Sequence, residues 1–371
     1  MPYMKPKLCY ILPRYETADA SHFSHIHDFL KEIGGIFDIY LVIEKGSKPP
    51  VSLGYKKSYV LKSRFIMFRI IETKVILLLA CFSGYRDFYV HYSFLSAFFA
   101  AITIKIFGGR VFYWNCGEPW KYKRNFLREF FERSVYKMVT HLVTGAPSLA
   151  DKYAEHYGIK RESVLVMPNW IDLRRFKSIL SKEEARKKLD IPQDGKVILF
   201  AHRLSPRKGS RMILPVALEI IRARQNTIFI VAGSGPDENF LRREIKNKGL
   251  EKNVRLVGAV ANRELPEYFV ASDIFFMPSE EEGFPRVILE AMALGIPFVA
   301  SDVGAVRDII PQVVHGNMVT VGDTEGFVEK IDLLLNQSKT DGDLMAEKLA
   351  IHAINYDVLV VAEKFTKLIT S

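Results

Sequence analysis

Cysteine is scarce in this chain, and no two cysteines stand close together. Only Cys9, Cys81 and Cys116 occur among 371 residues, and there is no C-x-x-C pair. This number and spacing argue against a disulfide framework and against a structural zinc site. We therefore expect a protein of a reducing, cytoplasmic compartment. The first apolar run, residues 8–12, is too short for a signal peptide and is interpreted as a buried strand.

Long uncharged apolar runs are also lacking. A membrane-spanning helix needs roughly 20 apolar residues. Lys74 and Arg86 bracket the apolar run 75–82, and Lys105 ends the run 94–104. We interpret both runs as buried helices and strands.

The composition describes a large globular protein. Of its residues 49% are hydrophobic and 25% charged, and 371 residues exceed a typical single core, so two domains are expected. The net charge of +10 and the pI near 9.3 suggest an anionic partner. No zinc-finger spacing or RNP-like aromatic string occurs, which argues against a nucleic-acid-reading module.

The stretch 121–137 is basic and amphipathic. Aromatic and aliphatic residues alternate there with cationic ones, against only Glu129 and Glu132. Two interpretations stay open: a surface helix whose aromatics pack inward, or a helix that docks on anionic lipid headgroups as a peripheral membrane contact. The cationic residues are Lys121, Lys123, Arg124, Arg128, Arg133 and Lys137.

Strands alternate with helices along the chain, which predicts parallel sheets. In open α/β sheets ligands bind where the strands end. A strand at 88–91 would deliver His91 to such an edge, and one at 110–115 would deliver Glu118. In the second half, Arg203 and Lys208 follow the strand 196–201. One guanidinium fork and one ammonium point charge can together neutralise a diphosphate.

One run, residues 277–301, combines a strand end, an acidic loop, a short helix and a further strand. Pro285 suits the first helical position, and Gly295 suits a left-handed helix cap. Glu282 then lies in the loop before the helix, and Glu290 lies more than a turn inside. Eight residues of ideal helix rise about 12 Å. A retaining glycosidase pair needs about 5–5.5 Å between its carboxyl groups, so the two glutamates better suit gripping two parts of one elongated ligand.

The order Glu282-Gly283-Phe284, then seven residues between Glu282 and Glu290, then Ala-Met-Ala-Leu-Gly-Ile-Pro resembles the signature of the GT-B retaining glycosyltransferases of family 4. Residues 168–172 are similar to that family's turn at the domain junction, with Trp170 in place of a glycine. The resemblance implies an α/β fold of two Rossmann-like doubly wound domains that face a central cleft. Residues 1–172 would form the acceptor-side domain, residues 173–350 the nucleotide-sugar domain, and residues 351–371 a C-terminal helix packing back on the first.

The same resemblance implies a hexosyltransferase-type enzyme. It would move a sugar from a nucleotide-diphosphate sugar to a glycan or lipid-linked acceptor, with retention at the anomeric carbon. No cofactor or metal is expected, in agreement with the lack of a D-x-D pair at a plausible strand end. Glu290 would accept hydrogen bonds from the ribose, Arg203 and Lys208 would hold the diphosphate, and Glu282 would orient the sugar. Further donor contacts would come from Gly283, Phe284, Pro285, Gly233, Gly235 and Gly258.

The acceptor side departs from the family pattern. The first loop, residues 13–22, has no glycine, and Trp114 to Glu118 occupy a strand end where family members commonly carry a histidine. Glu118 and His91 are candidates to replace it, with Cys116 near by, and a core role is open for His91. A GT-B sugar epimerase or phosphorylase and a non-catalytic nucleotide-sugar-binding module are the alternatives.

Overall fold

The computed structural model describes residues 5–16, 25–63, 65–123, 125–177 and 180–371. Most of the glycine-free first loop, residues 17–22, and Arg124 of the basic stretch therefore lie outside the described residues. The chain divides into two compact units. The first comprises the described residues up to Trp170 together with Val358–Ser371, and the second comprises Ile171–Asp357.

The first unit is built on a parallel sheet of seven strands in the order β3-β2-β1-β4-β5-β6-β7. Its strands are rich in aliphatic and aromatic residues and are largely buried, as a parallel sheet covered by helices on both faces requires. The strands are β1 Lys7–Leu12, β2 Asp38–Ile43, β3 Lys57–Val60, β4 Asp87–His91, β5 Arg110–Trp114, β6 His141–Thr144 and β7 Val164–Val166. The helices that alternate with them are α1 His25–Gly34, α2 Ile66–Phe82, α3 Phe94–Phe107, α4 Phe126–Met138 and α5 Pro147–Tyr157.

The second unit repeats the arrangement with six parallel strands in the order β10-β9-β8-β11-β12-β13. The strands are β8 Lys196–Ala201, β9 Thr227–Ala232, β10 Val254–Gly258, β11 Ile274–Met277, β12 Phe298–Ser301 and β13 Met318–Val319. The helices are α6 Lys182–Lys188, α7 Ile213–Ala223, α8 Glu238–Asn247, α9 Leu265–Ala271, α10 Arg286–Ala293, α11 Val306–Ile309, α12 Thr324–Leu335 and α13 Lys339–Ala353. Two doubly wound α/β units are thus present, as predicted.

The last helix, α14 Val358–Thr370, completes the first unit. Phe365 lies 4.9 Å from the Tyr89 ring and 5.1 Å from the Phe29 ring, measured between centroids. The sequence placed the start of this return at Ile351, but residues 351–357 belong to the second unit. Two long-range contacts within the second unit hold this segment: the His352 Nε2 and the Tyr356 hydroxyl both bond the Ile309 carbonyl, at 2.9 and 3.1 Å.

Helices α2 to α5 cover the other face of the first sheet and share one apolar core with it. The expectation that the run 75–82 is buried holds for only one side of α2. Ile76, Leu77 and Ala80 are buried, whereas Val75, Leu79 and Phe82 are exposed. Apolar residues lie on both faces of this helix, so covering one face leaves the apolar residues of the other in contact with solvent. Within the described part of the chain, no helix combines the length and hydropathy that crossing a bilayer requires.

The basic stretch is helical over a shorter range than expected. Asn125 caps α4 by accepting a hydrogen bond from the Arg128 N–H at 2.8 Å, so the helix begins at Phe126 and not at Lys121. Its apolar residues do not all pack inward, because Phe126, Leu127 and Phe130 are exposed.

Candidate functional site

The loops that follow β8, β9, β11 and β12 meet at the carboxyl edge of the second sheet. They are joined by backbone hydrogen bonds: Leu204 N–H to the Ser234 carbonyl (3.0 Å), Glu280 N–H to the Arg207 carbonyl (3.0 Å) and Ala305 N–H to the Gly283 carbonyl (3.0 Å). Such mutual bonding satisfies the backbone of closely packed loops and fixes the side chains that they carry. The predicted donor-side residues are therefore gathered at one sheet edge.

Glu282 is the most constrained of these residues. Its side chain is only 5% exposed, and its Oε1 lies 2.7 Å from Lys208 Nζ, 2.8 Å from Ser279 Oγ and 3.2 Å from His202 Nε2. Burial raises the pKa of this carboxyl, but the hydrogen bond from His202 and the charge and hydrogen bond of Lys208 outweigh it and lower the pKa to about 2. Glu282 is therefore an ionised acceptor of hydrogen bonds at neutral pH, and not a proton donor.

His202 is a member of this site that the sequence analysis gave no role. The Arg203 backbone N–H donates to His202 Nδ1 at 2.8 Å, so Nδ1 carries a lone pair and the proton of the neutral ring lies on Nε2. That N–H faces Glu282. Its place directly after β8 and beside Arg203 is the one sequence signal that could have found it. The ring orients Glu282 while tying itself to the Arg203 backbone.

The two predicted diphosphate ligands have different surroundings. Lys208 is half-buried and is engaged with Glu282 and with the Glu281 carbonyl at 3.2 Å. Arg203 is exposed, and its guanidinium has no ion pair among the described residues. The Arg203 guanidinium can thus reach a ligand without giving up an ion-pair partner.

Glu290 lies in the second turn of α10 and is buried. Desolvation raises its pKa above the ordinary value, against the opposing charges of Arg286 and Arg175. Arg286 approaches it to 3.7 Å. A carboxyl in this state can accept a hydrogen bond from a ligand hydroxyl without first breaking a short ion pair.

The start of α10 differs by one residue from the prediction. Pro285 precedes the helix with a ψ of 113°, an extended conformation, and the first helical residue is Arg286. Gly295 has a φ of +64°, which confirms the predicted left-handed cap. The helix has eight residues, Arg286–Ala293. Gly283 and Phe284 lie just before it, and the Phe284 ring is buried against Tyr356 at 5.9 Å.

Gly233 and Gly235 serve loop packing in the structure. A Cβ on Gly233 would lie 1.9 Å from the His202 carbonyl oxygen, and one on Gly235 would lie 2.3 Å from that of Leu204. Both have a positive φ, which also favours glycine. They allow the β9 loop to press on the backbone that carries His202 and Arg203. Gly258 ends β10, and its carbonyl accepts the Gly233 N–H at 2.7 Å.

In the first unit, His91 ends β4 as predicted but does not reach solvent. It is 1% exposed, and its ring stacks on Trp114 at 4.2 Å. Tyr10 and Tyr89 lie within 6.2 Å of it, between ring centroids. This is the surrounding of a core histidine.

Glu118 is also enclosed. Its oxygens lie 2.6 Å from Lys121 Nζ and 3.3 Å from Lys152 Nζ, and the carboxylate is buried. The neighbouring residues are held as well, since Asn115 donates to the Tyr136 hydroxyl at 3.0 Å and Cys116 is buried. The carboxylate of Glu118 is thus held in place between two lysines.

No group of three or more His, Cys, Asp or Glu side chains placed to hold a metal ion occurs among the described residues.

Comparison with known proteins places this geometry in context. Residues 181–348, less than half of the chain, match the family described as Glycosyl transferases group 1. The D-inositol 3-phosphate glycosyltransferase of Streptosporangium roseum is 28% identical over 215 residues, which cover 56% of this chain and 49% of that protein. An uncharacterized glycosyltransferase of Methanocaldococcus jannaschii is 30% identical over 198 residues, covering 53% and 50%. The chain thus spans about half the length of the curated relatives it matches.

Among solved structures, Anabaena HepE in complex with UDP superposes with a TM-score of 0.81 at 18% identity, over 99% of this chain and 100% of that one. The same protein has also been solved in complex with UDP and glucose. At this identity the likeness shows the fold, which is that of the GT-B glycosyltransferases.

Proposed function

We propose that this chain, whose residues 181–348 form a domain of the Glycosyl transferases group 1 family within a GT-B fold, transfers a hexosyl group from a nucleotide-diphosphate sugar. The acceptor would be a glycan or a lipid-linked sugar, the anomeric configuration would be retained, and no metal would be needed. The observation that carries the proposal is the exposed guanidinium of Arg203 beside the fixed group of Lys208, Glu282 and His202.

The chemistry follows from where charge develops. Breaking the bond between the anomeric carbon and the diphosphate leaves negative charge on the phosphate and positive character on the sugar ring. A cation aimed at the leaving group stabilises that transition state more than the bound donor. Arg203 can supply a planar fork to two phosphate oxygens.

Lys208 would contribute in a second way. An ammonium has three N–H groups, and two are directed at Glu282 and at the Glu281 carbonyl. The third is available to a phosphate oxygen. Glu282, held ionised, would accept hydrogen bonds from hydroxyl groups of the transferred sugar, and Glu290 would accept them from the ribose.

A uridine diphosphate sugar is the first donor to test, because HepE of the same fold binds UDP. The Arg203→Ala variant should lower kcat/KM for donor hydrolysis or transfer about a hundredfold or more, since one preorganised donor to a developing anion is lost. Arg207→Ala is the matched control: it is an exposed arginine of the same loop whose guanidinium pairs with Glu281 at 3.0 Å. Equal activity of the two variants would refute the proposed role of Arg203.

A non-catalytic nucleotide-sugar-binding module is the second candidate. It is favoured by the first unit, where His91 is packed in the core and Glu118 is held by two lysines. Calorimetry that shows donor binding, together with no turnover against a broad acceptor panel, would select it. The same assay would reveal an epimerase through an altered sugar formed without acceptor, and a phosphorylase through phosphate-dependent exchange.

A further inference from the structure

The outer face of α2 is apolar and unusually exposed. Phe68, Ile71, Val75, Leu79 and Phe82 follow one another at helical spacing, and their side chains are 46–75% exposed. The residues that open the helix, at positions 65–67, are exposed and apolar too. An amphipathic helix of a water-exposed surface presents polar residues there.

This exposed apolar surface is larger than a few scattered apolar residues would produce. Phe65, Phe68 and Phe82 alone are 63–76% exposed, which corresponds to roughly 300–550 Å² of aromatic surface. That already equals the largest apolar patch of a typical monomer. Patches of this kind mark sites of interaction with a protein or a membrane.

The surface continues across two more helices. Helix α3 packs against both α2 and α4, through Phe107 on Phe82 at 5.4 Å and Phe98 on Phe131 at 5.1 Å. Ile106 of α3 and Phe126, Leu127 and Phe130 of α4 are exposed. We call the exposed side of α2, α3 and α4 the apolar layer.

Positive charge accompanies the apolar layer. Lysines and an arginine are exposed on or beside its three helices, whereas Glu72 of α2 is bound by the Tyr59 hydroxyl and by the N–H groups of Lys62 and Ser63. One acidic residue, Glu129 of α4, is exposed there. The exposed cationic residues are Lys62, Lys74, Lys105, Lys123, Arg128, Lys137 and Lys121, the last of which pairs with Glu118.

This charge distribution favours an anionic lipid surface over a second copy of the chain as the partner of the apolar layer. A two-fold dimer through the apolar layer would place two basic patches against each other, and like charges across an interface are unfavourable. An anionic lipid surface accepts both features, because aromatic and aliphatic side chains enter the interfacial region while lysines contact the headgroups.

We propose that the apolar layer is a membrane-docking surface, with the outer face of α2 inserted among the acyl chains of an anionic bilayer and α4 lying at headgroup level. The basic stretch 121–137 is then one edge of a larger surface, and α2 is its principal inserted element. The surface would bring a lipid-linked acceptor within reach, and in this respect only the inference rests on the proposed function.

Vesicle flotation tests the surface without any substrate. The full chain should float with vesicles of phosphatidylcholine and phosphatidylglycerol and much less with phosphatidylcholine alone. Combining Phe68→Ser, Ile71→Ser and Leu79→Ser should weaken binding about tenfold or more, since binding scales with the apolar area that enters the membrane. The pair Lys74→Gln and Lys105→Gln should weaken binding to anionic vesicles about fivefold per lysine removed.

The control is a variant with exposed apolar residues of the second unit replaced, Leu333→Ser with Leu344→Ser, which should bind as the parent does. Unchanged thermal unfolding confirms that the variants are folded. Flotation that the α2 variant leaves intact would overturn the proposal. The proposal would also be overturned if the parent chain did not bind vesicles and instead formed a dimer in solution that the α2 substitutions dissociated. Donor hydrolysis, measured in parallel without lipid, reports the proposed transferase activity separately.

Discussion

The two units contain similar parallel sheets, but the residues at the carboxyl ends of their strands are arranged differently. In the second unit, glycines let loops press together around Glu282, and Arg203 is left exposed for a ligand. In the first unit, His91 is stacked in the core and Glu118 is held between Lys121 and Lys152. The second unit therefore has a preorganised polar site at its strand ends, whereas the distinctive surface of the first unit is apolar and lies on its helices.

The largest expected contrast between the units concerns their buried carboxylates. Lys208→Met removes the only lysine that contacts Glu282 among the described residues, and it leaves a buried charge short of its partner, at a cost of about 3–5 kcal/mol. Lys152→Met should cost the first unit much less, because Lys121 still neutralises Glu118.

Tryptophan fluorescence reports unfolding of the first unit separately from that of the second. All three, Trp114, Trp120 and Trp170, belong to the first unit. In urea, Lys208→Met should shift the unfolding transition followed by circular dichroism while the transition followed by tryptophan fluorescence stays in place. A common shift of both signals would show that the units do not unfold independently, and the comparison would fail.

Acidification should have the next largest effect on stability, and it should act on the second unit. The pKa of Glu282 is about 2 in the folded chain against an ordinary 4.5. Its contribution to the free energy of unfolding is therefore complete above pH 4.5 and is lost as the pH falls toward 2. The loss is on the order of 3 kcal/mol. Glu282→Gln should remove this part of the pH dependence, measured by urea unfolding at a series of pH values; an unchanged pH profile would contradict the assignment.

His202 should have a smaller effect, expressed in function. His202→Ala removes a hydrogen bond to a charged group, worth about 1.5–3 kcal/mol, and frees Glu282 to rotate. We expect KM for the donor to rise about tenfold or more with kcat reduced less. His202→Gln can still donate to Glu282 and should recover part of the loss; no recovery would indicate that the ring acts through packing alone.

The smallest effect is expected in the first unit. His91→Phe preserves an aromatic ring in the stack on Trp114, so transfer activity should stay within about threefold of the parent. Steady-state kinetics on the folded variant provide the test. Loss of turnover without loss of stability would give His91 a catalytic role and would make the strand-end edge of the first unit a polar site after all.

These contrasts show which features short-range sequence signals can predict. The strand, acidic loop and helix of residues 277–301 were predicted closely because each depends on neighbouring residues, such as Gly295 at the helix cap. The contact of His202 with Glu282 joins residues 80 positions apart, and only the pairing of β8 with β11 brings them together. No local pattern reports such a contact.

The exposure of α2 was missed for a different reason. A helix with apolar residues on both its buried and its exposed face gives only a weak periodic signal to separate the two faces. The departure point of the last helix was misplaced by seven residues because the bonds of His352 and Tyr356 to Ile309 are also long-range.

The position of α14 has a consequence for how the protein is made. Domains usually fold in order as a chain leaves the ribosome, the N-terminal one first. In this chain the first unit is completed only by α14, which is synthesised after the whole of the second unit. Until Phe365 arrives, the rings of Phe29, Phe37 and Tyr89 lack their cover. The second unit can therefore finish folding first, while the first unit stays incomplete during synthesis and exposes these rings to chaperones or to aggregation.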